Sequence, residues 1–388
     1  MHLLGKGDTD VRVMREAISL VEAGLAVTVV DTENDRARPR EETAQGVRIK
    51  HARTPTWPHL GPFKLWLLPK ASQMLGSLFT VLRTPADVYH AHDITALPAC
   101  YLAAVLRRKH LVYDAHELPV TDPSITRRPV LRWLTAALLR GMMPRCDGVL
   151  TVSPPIVAEL QRRYGGPTAT VVRNLPVYQP PVTSDRLRRL LKLDAESRIA
   201  LYHGGLQNNR SLDRLIYAAR FLAPGNVIVL MGKGPIQAQL ERLIIETGVG
   251  DQVKIVPAVP YEELLEWAAS ADIGLTLFLP SYSVSIQLCL PNKLFEYLMV
   301  GLPVLTSPLE AIVDIVQRYE VGRMVSSLEP EAIGKAINDL LADSQALEEM
   351  RTNALRASET DLHWEVESGR LITLYQHIAS FPNYGGIE

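Results

Sequence analysis

Pro291-Asn292-Lys293-Leu294-Phe295-Glu296-Tyr297 runs shortly before Gly301-Leu302-Pro303-Val304-Leu305-Thr306-Ser307. Proline suits the first turn of a helix, where its missing N–H costs nothing, and Gly301-Leu302-Pro303 ends the helix before a buried strand. A helix start offers amides to an anion, Lys293 adds a charge beside them, and Glu296, one turn in, can accept hydrogen bonds from sugar hydroxyls. Together these groups suit a nucleotide sugar. The same helix could instead hold Glu296 in an ordinary ion pair.

Four further strings carry chemistry. His203-Gly204-Gly205-Leu206 closes an apolar run, where glycines permit close approach of backbone to phosphate, and Arg210 can supply charge. Gly232-Lys233-Gly234-Pro235 follows the run 226–231; by itself this Gly-x-Gly also reads as a plain strand-to-helix turn. His90-Ala91-His92-Asp93 and Asp114-Ala115-His116-Glu117 stand at the ends of two buried runs. Such histidines are commonly structural hydrogen-bonders. His90 and His92, alternating on an extended strand, could also share a metal ion with Asp93.

These strings need elements to place them. Apolar runs of strand length at 26–31, 46–50, 87–90, 110–114, 148–152 and 169–173 alternate with amphipathic stretches such as 11–23, where Val13, Ala17, Leu20 and Val21 share a face. Three prolines in Pro176-Val177-Tyr178-Gln179-Pro180-Pro181 suit a connector. The alternation restarts at 199–203, 226–231, 253–256, 272–277 and 303–306. The expectation is an α/β chain of two doubly wound parallel-sheet domains facing across a cleft, with ligands beyond the carboxyl ends of the strands.

These motifs resemble family-4-type (group 1) retaining glycosyltransferases, whose architecture is GT-B, and the resemblance extends through most of the chain. It implies an N-terminal acceptor-side domain over 1–178, a linker over 179–185, a donor domain over 186–361, and a final helix from about 362 to 388 crossing back. Glu296 matches the second of the family's two motif glutamates and is assigned to the donor ribose. The first falls at Leu288, which is not acidic. The family's loop arginine falls at Gly205, while its lysine is matched by Arg210, so Lys293 is left as the second cation. By resemblance, His92 touches the transferred sugar and His116 lies near the reacting groups, which with Arg210, Lys293 and Glu296 make the catalytic set. Gly204, Gly205, Gly232, Lys233, Gly234, Val259, Leu290, Asn292 and Leu294 would surround the donor. Gly7, Asp10, Arg12, Asp93 and Glu117 would line the acceptor side. The resemblance also implies a metal-independent reaction with no cofactor besides the nucleotide-sugar substrate, UDP being the first guess. No carboxylate pair suggests a glycosyl-enzyme, so front-face attack is the expected route to retention.

A chain of 388 residues with 47% hydrophobic residues can build two ordinary cores, and a formal charge of −1 gives no global attraction to nucleic acid. Cys100, Cys146 and Cys289 form no metal pattern, and a reducing cytosol fits them. No signal peptide or membrane span is expected. The first strand is short, with only His2-Leu3-Leu4 before its glycine loop, so a truncated start is one expectation. Residues 123–146 hold Arg127, Arg128, Arg132, Arg140 and Arg145 and no acid, interleaved with Trp133, Leu134, Leu138 and Leu139, while Lys64, Trp66, Lys70 and Arg83 flank another apolar segment. Such stretches either lie on an anionic membrane or are core helices with a solvated arginine face. The acceptor is accordingly expected to be a glycan, a lipid-linked molecule or a small molecule, met in the cytoplasm or at the inner membrane face. Two other readings stay open at this level: a catalytically silent donor-binding partner subunit, and a nucleotide-sugar epimerase on the same architecture.

Overall fold

A computed structural model describes residues 1–35, 37–53, 67–121 and 123–380, with backbone alone at 67–71 and 123–124. The chain forms two compact units. Met1–Arg173 is joined by the residues from Glu367 onward, and Asn174–Val366 makes the second. Lys64 and Trp66, and the side chain of Lys70, lie outside the described residues.

The first unit contains β1 (Thr28–Asp31), β2 (Glu41–Ala44), β3 (Val47–His51), β4 (Val88–His92), β5 (His110–Ala115), β6 (Gly148–Thr151) and β7 (Thr170–Val171). Three strands run β1-β3-β2 and four run β4-β5-β6-β7, all parallel except β2 against β3. Met1–Leu3 stitches the two sets together: the His2 amide donates to His90 O, the His92 amide to His2 O, and the Leu3 amide to Val30 O. The short first run therefore acts as the central strand although only isolated bridges form there. β2 was not among the sequence runs, because Glu41-Glu42-Thr43-Ala44 is polar and at most half-buried, and only its pairing across Gln45-Gly46 makes it a strand.

The second unit contains β8 (Arg198–His203), β9 (Asn226–Met231), β10 (Val253–Val256), β11 (Ile273–Thr276), β12 (Val304–Thr306) and β13 (Gly322–Met324), all parallel in the order β10-β9-β8-β11-β12-β13. That is a doubly wound sheet whose strand order reverses between β8 and β11, and ligands bind such sheets beyond the carboxyl ends at that crevice. Buried apolar side chains pack both faces: Leu201, Val229, Phe295 and Tyr297 belong to one cluster, and Tyr202, Leu230, Leu275 and Leu305 to the other.

The proline segment expected as a linker packs within the second unit. Leu175 is buried in its core, Pro176 O accepts from the Trp364 amide, and Ser184 bonds Ser270. The chain passes between units at Arg173–Asn174 and again at Val366–Glu367, inside the helix Trp364–Ser380. Stiffness alone did not locate the first crossing, because Leu175, just ahead of the prolines, and Tyr178, between them, pack on a core. Glu367 accepts from the Arg173 amide at 2.8 Å and from Arg173 Nε at 2.7 Å, with both side chains buried, and Tyr375 on the same helix bonds His90 Nδ1 at 2.8 Å. No disulfide joins Cys100, Cys146 or Cys289.

Removing one member of a buried ion pair leaves the other charge uncompensated, at about 3–5 kcal/mol. Glu367→Ala should therefore lower the urea unfolding free energy of the first unit by about that amount, whereas an unchanged midpoint would show that the pair holds nothing.

Candidate active site

In the second unit the site is built from loops after β8 and β9 and from the helix Asn292–Met299. The two loops lie against each other: the Gly204 amide donates to Met231 O and the Leu206 amide to Lys233 O. A Cβ on Gly232 would stand 1.9 Å from Gly204 O, so that position admits only glycine. Gly204 itself has φ +124, and a Cβ there would lie 3.3 Å from Lys293 Nζ. The glycines thus let the loops pack edge to edge and bring backbone up to a lysine.

That lysine is the centre of the site. Lys293 is on the first turn of its helix, whose Pro291 cap supplies no side-chain bond, although the Leu294 amide donates to Pro291 O at 3.1 Å. Its Nζ stands 3.6 Å from the centroid of the Tyr202 ring and 5.9 Å from that of Phe278. Arg210 Cζ stands over the same Phe278 ring at 4.5 Å. Aromatic faces hold cations electrostatically without neutralising them. Among the described residues neither cation has an ion-pair partner within 4 Å. Burial, then the charge of Arg210, hold Lys293 well below the usual amine pKa, with Glu296 only partly offsetting them. Burial pushes the Tyr202 hydroxyl up to about 12, and it donates to Gly205 O at 2.7 Å.

The helix is fixed to the sheet by Tyr297, whose hydroxyl accepts from the His203 amide at 3.0 Å and donates to Leu201 O at 2.9 Å. Glu296 is buried beside His203, with Oε2 3.5 Å from Nε2. Burial and Lys293 hold His203 well below the usual imidazole pKa, so it is neutral. Leu290 and Leu294 are core side chains, and Val259 packs against the same cluster, whereas Asn292 and Lys233 are exposed. Leu288 ends the short helix Val284–Leu288 and is half-buried.

The first unit gathers a second group at the ends of β4 and β5. Arg12 grips Asp114 with Nε at 2.8 Å and a terminal nitrogen at 2.9 Å, and its other terminal nitrogen donates to Val172 O at 2.8 Å. Asp114 also meets His116 Nε2 at 2.9 Å and His92 Nδ1 at 3.2 Å. Burial opposes the Asp114 charge, but Arg12 and His116 overcome it and keep the carboxyl well below its usual range. Burial would lower His116; Asp114 and Asp93 outweigh that and raise it to about 9. His92, with burial dominant, falls to about 4. One histidine is thus cationic and its neighbour neutral. Asp10 is a helix cap, accepting from the Arg12 and Val13 amides, and the Gly7 amide donates to Asp31. Asp93 accepts from the His116 amide, and Glu117 is exposed.

Glu16, His90, His92 and Asp114 offer atoms all within 4.8 Å of one another, a spacing that would suit a metal ion. Arg12 Nε already lies 3.0 Å from Glu16 and 2.8 Å from Asp114, so a fixed cation stands against both carboxylates. Burial and Asp114 raise Glu16 to about 8, which leaves it mostly protonated at neutral pH. Sequence reasoning had not put Asp114, Tyr202 or Phe278 in either site. The signal for Asp114 was an acid closing the run 110–114, while nothing local marked the two rings.

Residues 10–175 match the model for Glycosyltransferase Family 4, and residues 183–357 match that for Glycosyl transferases group 1. The chain belongs to the group 1 glycosyltransferases. It is 24% identical over 399 residues to D-inositol 3-phosphate glycosyltransferase of Thermobispora bispora, covering 95% of this chain and 89% of that one. Sucrose-phosphate synthase from Thermosynechococcus elongatus shares its fold at TM-score 0.79 and 19% identity, with 98% of each chain covered. Anabaena HepE in complex with UDP-glucose follows at TM-score 0.72 and 15% identity, with 97% of each covered. This glycosyltransferase is therefore an enzyme of GT-B architecture with two Rossmann-like domains.

An anion beside Lys293 would raise its lowered pKa, because a nearby opposite charge favours the ammonium. Between the lowered pKa of the free group and its higher pKa in the complex, affinity for a diphosphate should therefore fall as pH rises, with net proton uptake on binding. Calorimetry of UDP binding in buffers of different ionisation enthalpy measures the uptake; Lys293→Gln should abolish it, and uptake that survives the change would exclude Lys293.

Proposed function

We propose that this glycosyltransferase moves a sugar, with retention of anomeric configuration, from a nucleoside-diphosphate donor, in the first instance a UDP-sugar, to a glycan, a lipid-linked molecule or a small-molecule acceptor. The observation that carries the donor is the convergence of Arg210 and Lys293 on Phe278, next to two glycine loops at the reversal point of the second sheet. Two cations without carboxylate partners form a site whose charge is balanced only by a bound anion. UDP as the nucleotide draws support from HepE, whose structure was solved with UDP-glucose.

As the bond between the anomeric carbon and the diphosphate oxygen breaks, negative charge grows on the diphosphate, and preorganised cations and amides stabilise it. The acceptor oxygen bonds the anomeric carbon on the face the diphosphate leaves, and its proton passes to the departing phosphate oxygen. Arg210 and Lys293 take the place of a metal ion in this scheme, so no metal is required. Glu296, buried and beside a neutral His203, is suited to accept from a ribose hydroxyl. In the first unit, cationic His116 and neutral His92 on the shared Asp114 are suited to orient hydroxyls, and the cytoplasm supplies both substrates.

Thermal shift with UDP, GDP, ADP and TDP tests the donor: at a concentration of 100 Kd a ligand should stabilise by roughly 2.7 kcal/mol. Lys293→Met and Arg210→Met should each lower kcat/KM for donor hydrolysis by about 100-fold, the scale of losing one charge-stabilising donor. No shift with any nucleotide, or an inverted product, overturns the reading.

A further inference from the structure

The helix Pro129–Met142 is fastened to its unit by few side chains. Only Thr135 and Leu139, one turn apart, are buried, with the 3-10 turn Met143–Arg145 following. At 100° per residue, Val130 and Trp133 fall nearly opposite that pair, while Leu134 and Leu138 lie along the flank between. All four are exposed, Val130 at 70% and Trp133 at 65%. The helix Asp93–Arg107 packs against both this helix and Leu67–Arg83. Those neighbours add Val105 at 54%, Leu106 at 65%, Leu75 at 59% and Phe79 at 60% exposure. Three adjacent helices therefore turn large apolar side chains outward, more than scattered surface leucines account for.

The charge around them has one sign. Arg127, Arg132, Arg140 and Arg145 are exposed, as are Arg83, Arg107 and Arg108, and residues 123–146 contain no acid. Lys109 is matched by Asp87 at 2.7 Å and leaves the excess unchanged. A second copy of the chain is a poor occupant, because a two-fold contact would set each arginine cluster against its equivalent. A surface both apolar and anionic fits. Bilayers containing acidic lipid offer this combination, with arginines at the phosphates, Trp133 at the headgroup level and leucines toward the acyl boundary. Among the described residues no helix is long and apolar enough to cross a membrane, so contact through these helices is peripheral.

We infer that the outer faces of the helices Pro129–Met142, Asp93–Arg107 and Leu67–Arg83 dock the protein on an anionic lipid surface. This goes beyond the donor reading and does not depend on it, since the surface belongs to the first unit and the donor loops to the second. Docking brings the enzyme to acceptors held in the membrane.

The test is co-sedimentation of the full chain with phosphatidylcholine vesicles, with and without about 30% phosphatidylglycerol, each basic residue being worth about 1 kcal/mol at such a surface. Binding is expected only with the anionic lipid and should weaken with salt. Arg132→Glu with Arg140→Glu should reduce partitioning by more than about tenfold. Trp133→Ser should also weaken it and remove a vesicle-induced blue shift of tryptophan emission; should that variant misfold by circular dichroism, Val130→Ser replaces it. The inference is overturned by no sedimentation, by equal binding to neutral vesicles, by indifference to the charge reversals, or by a wild-type dimer that Trp133→Ser makes monomeric. UDP thermal shift on the same preparations reads the donor site separately.

Discussion

Two positive side chains held over one aromatic ring, with no carboxylate bridging them, are the constraint around which the second unit is arranged. Arg210 and Lys293 repel each other, and burial adds to the cost for the lysine. The helix Asn292–Met299 cannot swing away to relieve this, because the Tyr297 hydroxyl ties it to Leu201 and His203 of β8. The Gly204 loop leaves the ammonium room, and the Tyr202 ring lies beneath it. A site strained in this way favours an anion before any contact specific to a base or sugar is made.

The first unit resolves its charges internally. Arg12, His92 and His116 converge on Asp114, and the surplus carboxyl of Glu16 is held largely neutral. The result is a set of groups with fixed protonation, one histidine charged and one not. The same doubly wound architecture thus presents an unbalanced cationic site in one unit and a balanced network in the other. Where it leaves apolar side chains uncovered, on the helix Pro129–Met142, the surrounding arginines give that face its own partner chemistry.

Much of this was legible along the chain. The apolar runs located β1, β3 to β6 and β8 to β12 to within a few residues, because buried parallel strands are continuous apolar segments. Glycine pairs at strand ends and the proline before Lys293 marked the loops and the helix start that meet in the second unit, since backbone geometry requires those residues locally. Missed were β2 and β13, which are at most half-buried and carry no burial signal, and the site of chain crossing, since Leu175, just ahead of the prolines, packs into the second core.

By itself the sequence determined the alternation of strands and helices, the glycine loops and the helix that carries Lys293 and Glu296, all of which follow from φ/ψ preference and hydrophobic period over a few residues. Only the tertiary structure decided that Phe278 would seat Arg210 beside Lys293, that Asp114 would join Arg12 to two histidines, and that Tyr297 would anchor the helix Asn292–Met299. Arg12 and Asp114 are 102 positions apart, and Tyr297 and His203 are 94 apart. Such contacts arise from strand order, and local pattern does not encode which strand ends become neighbours.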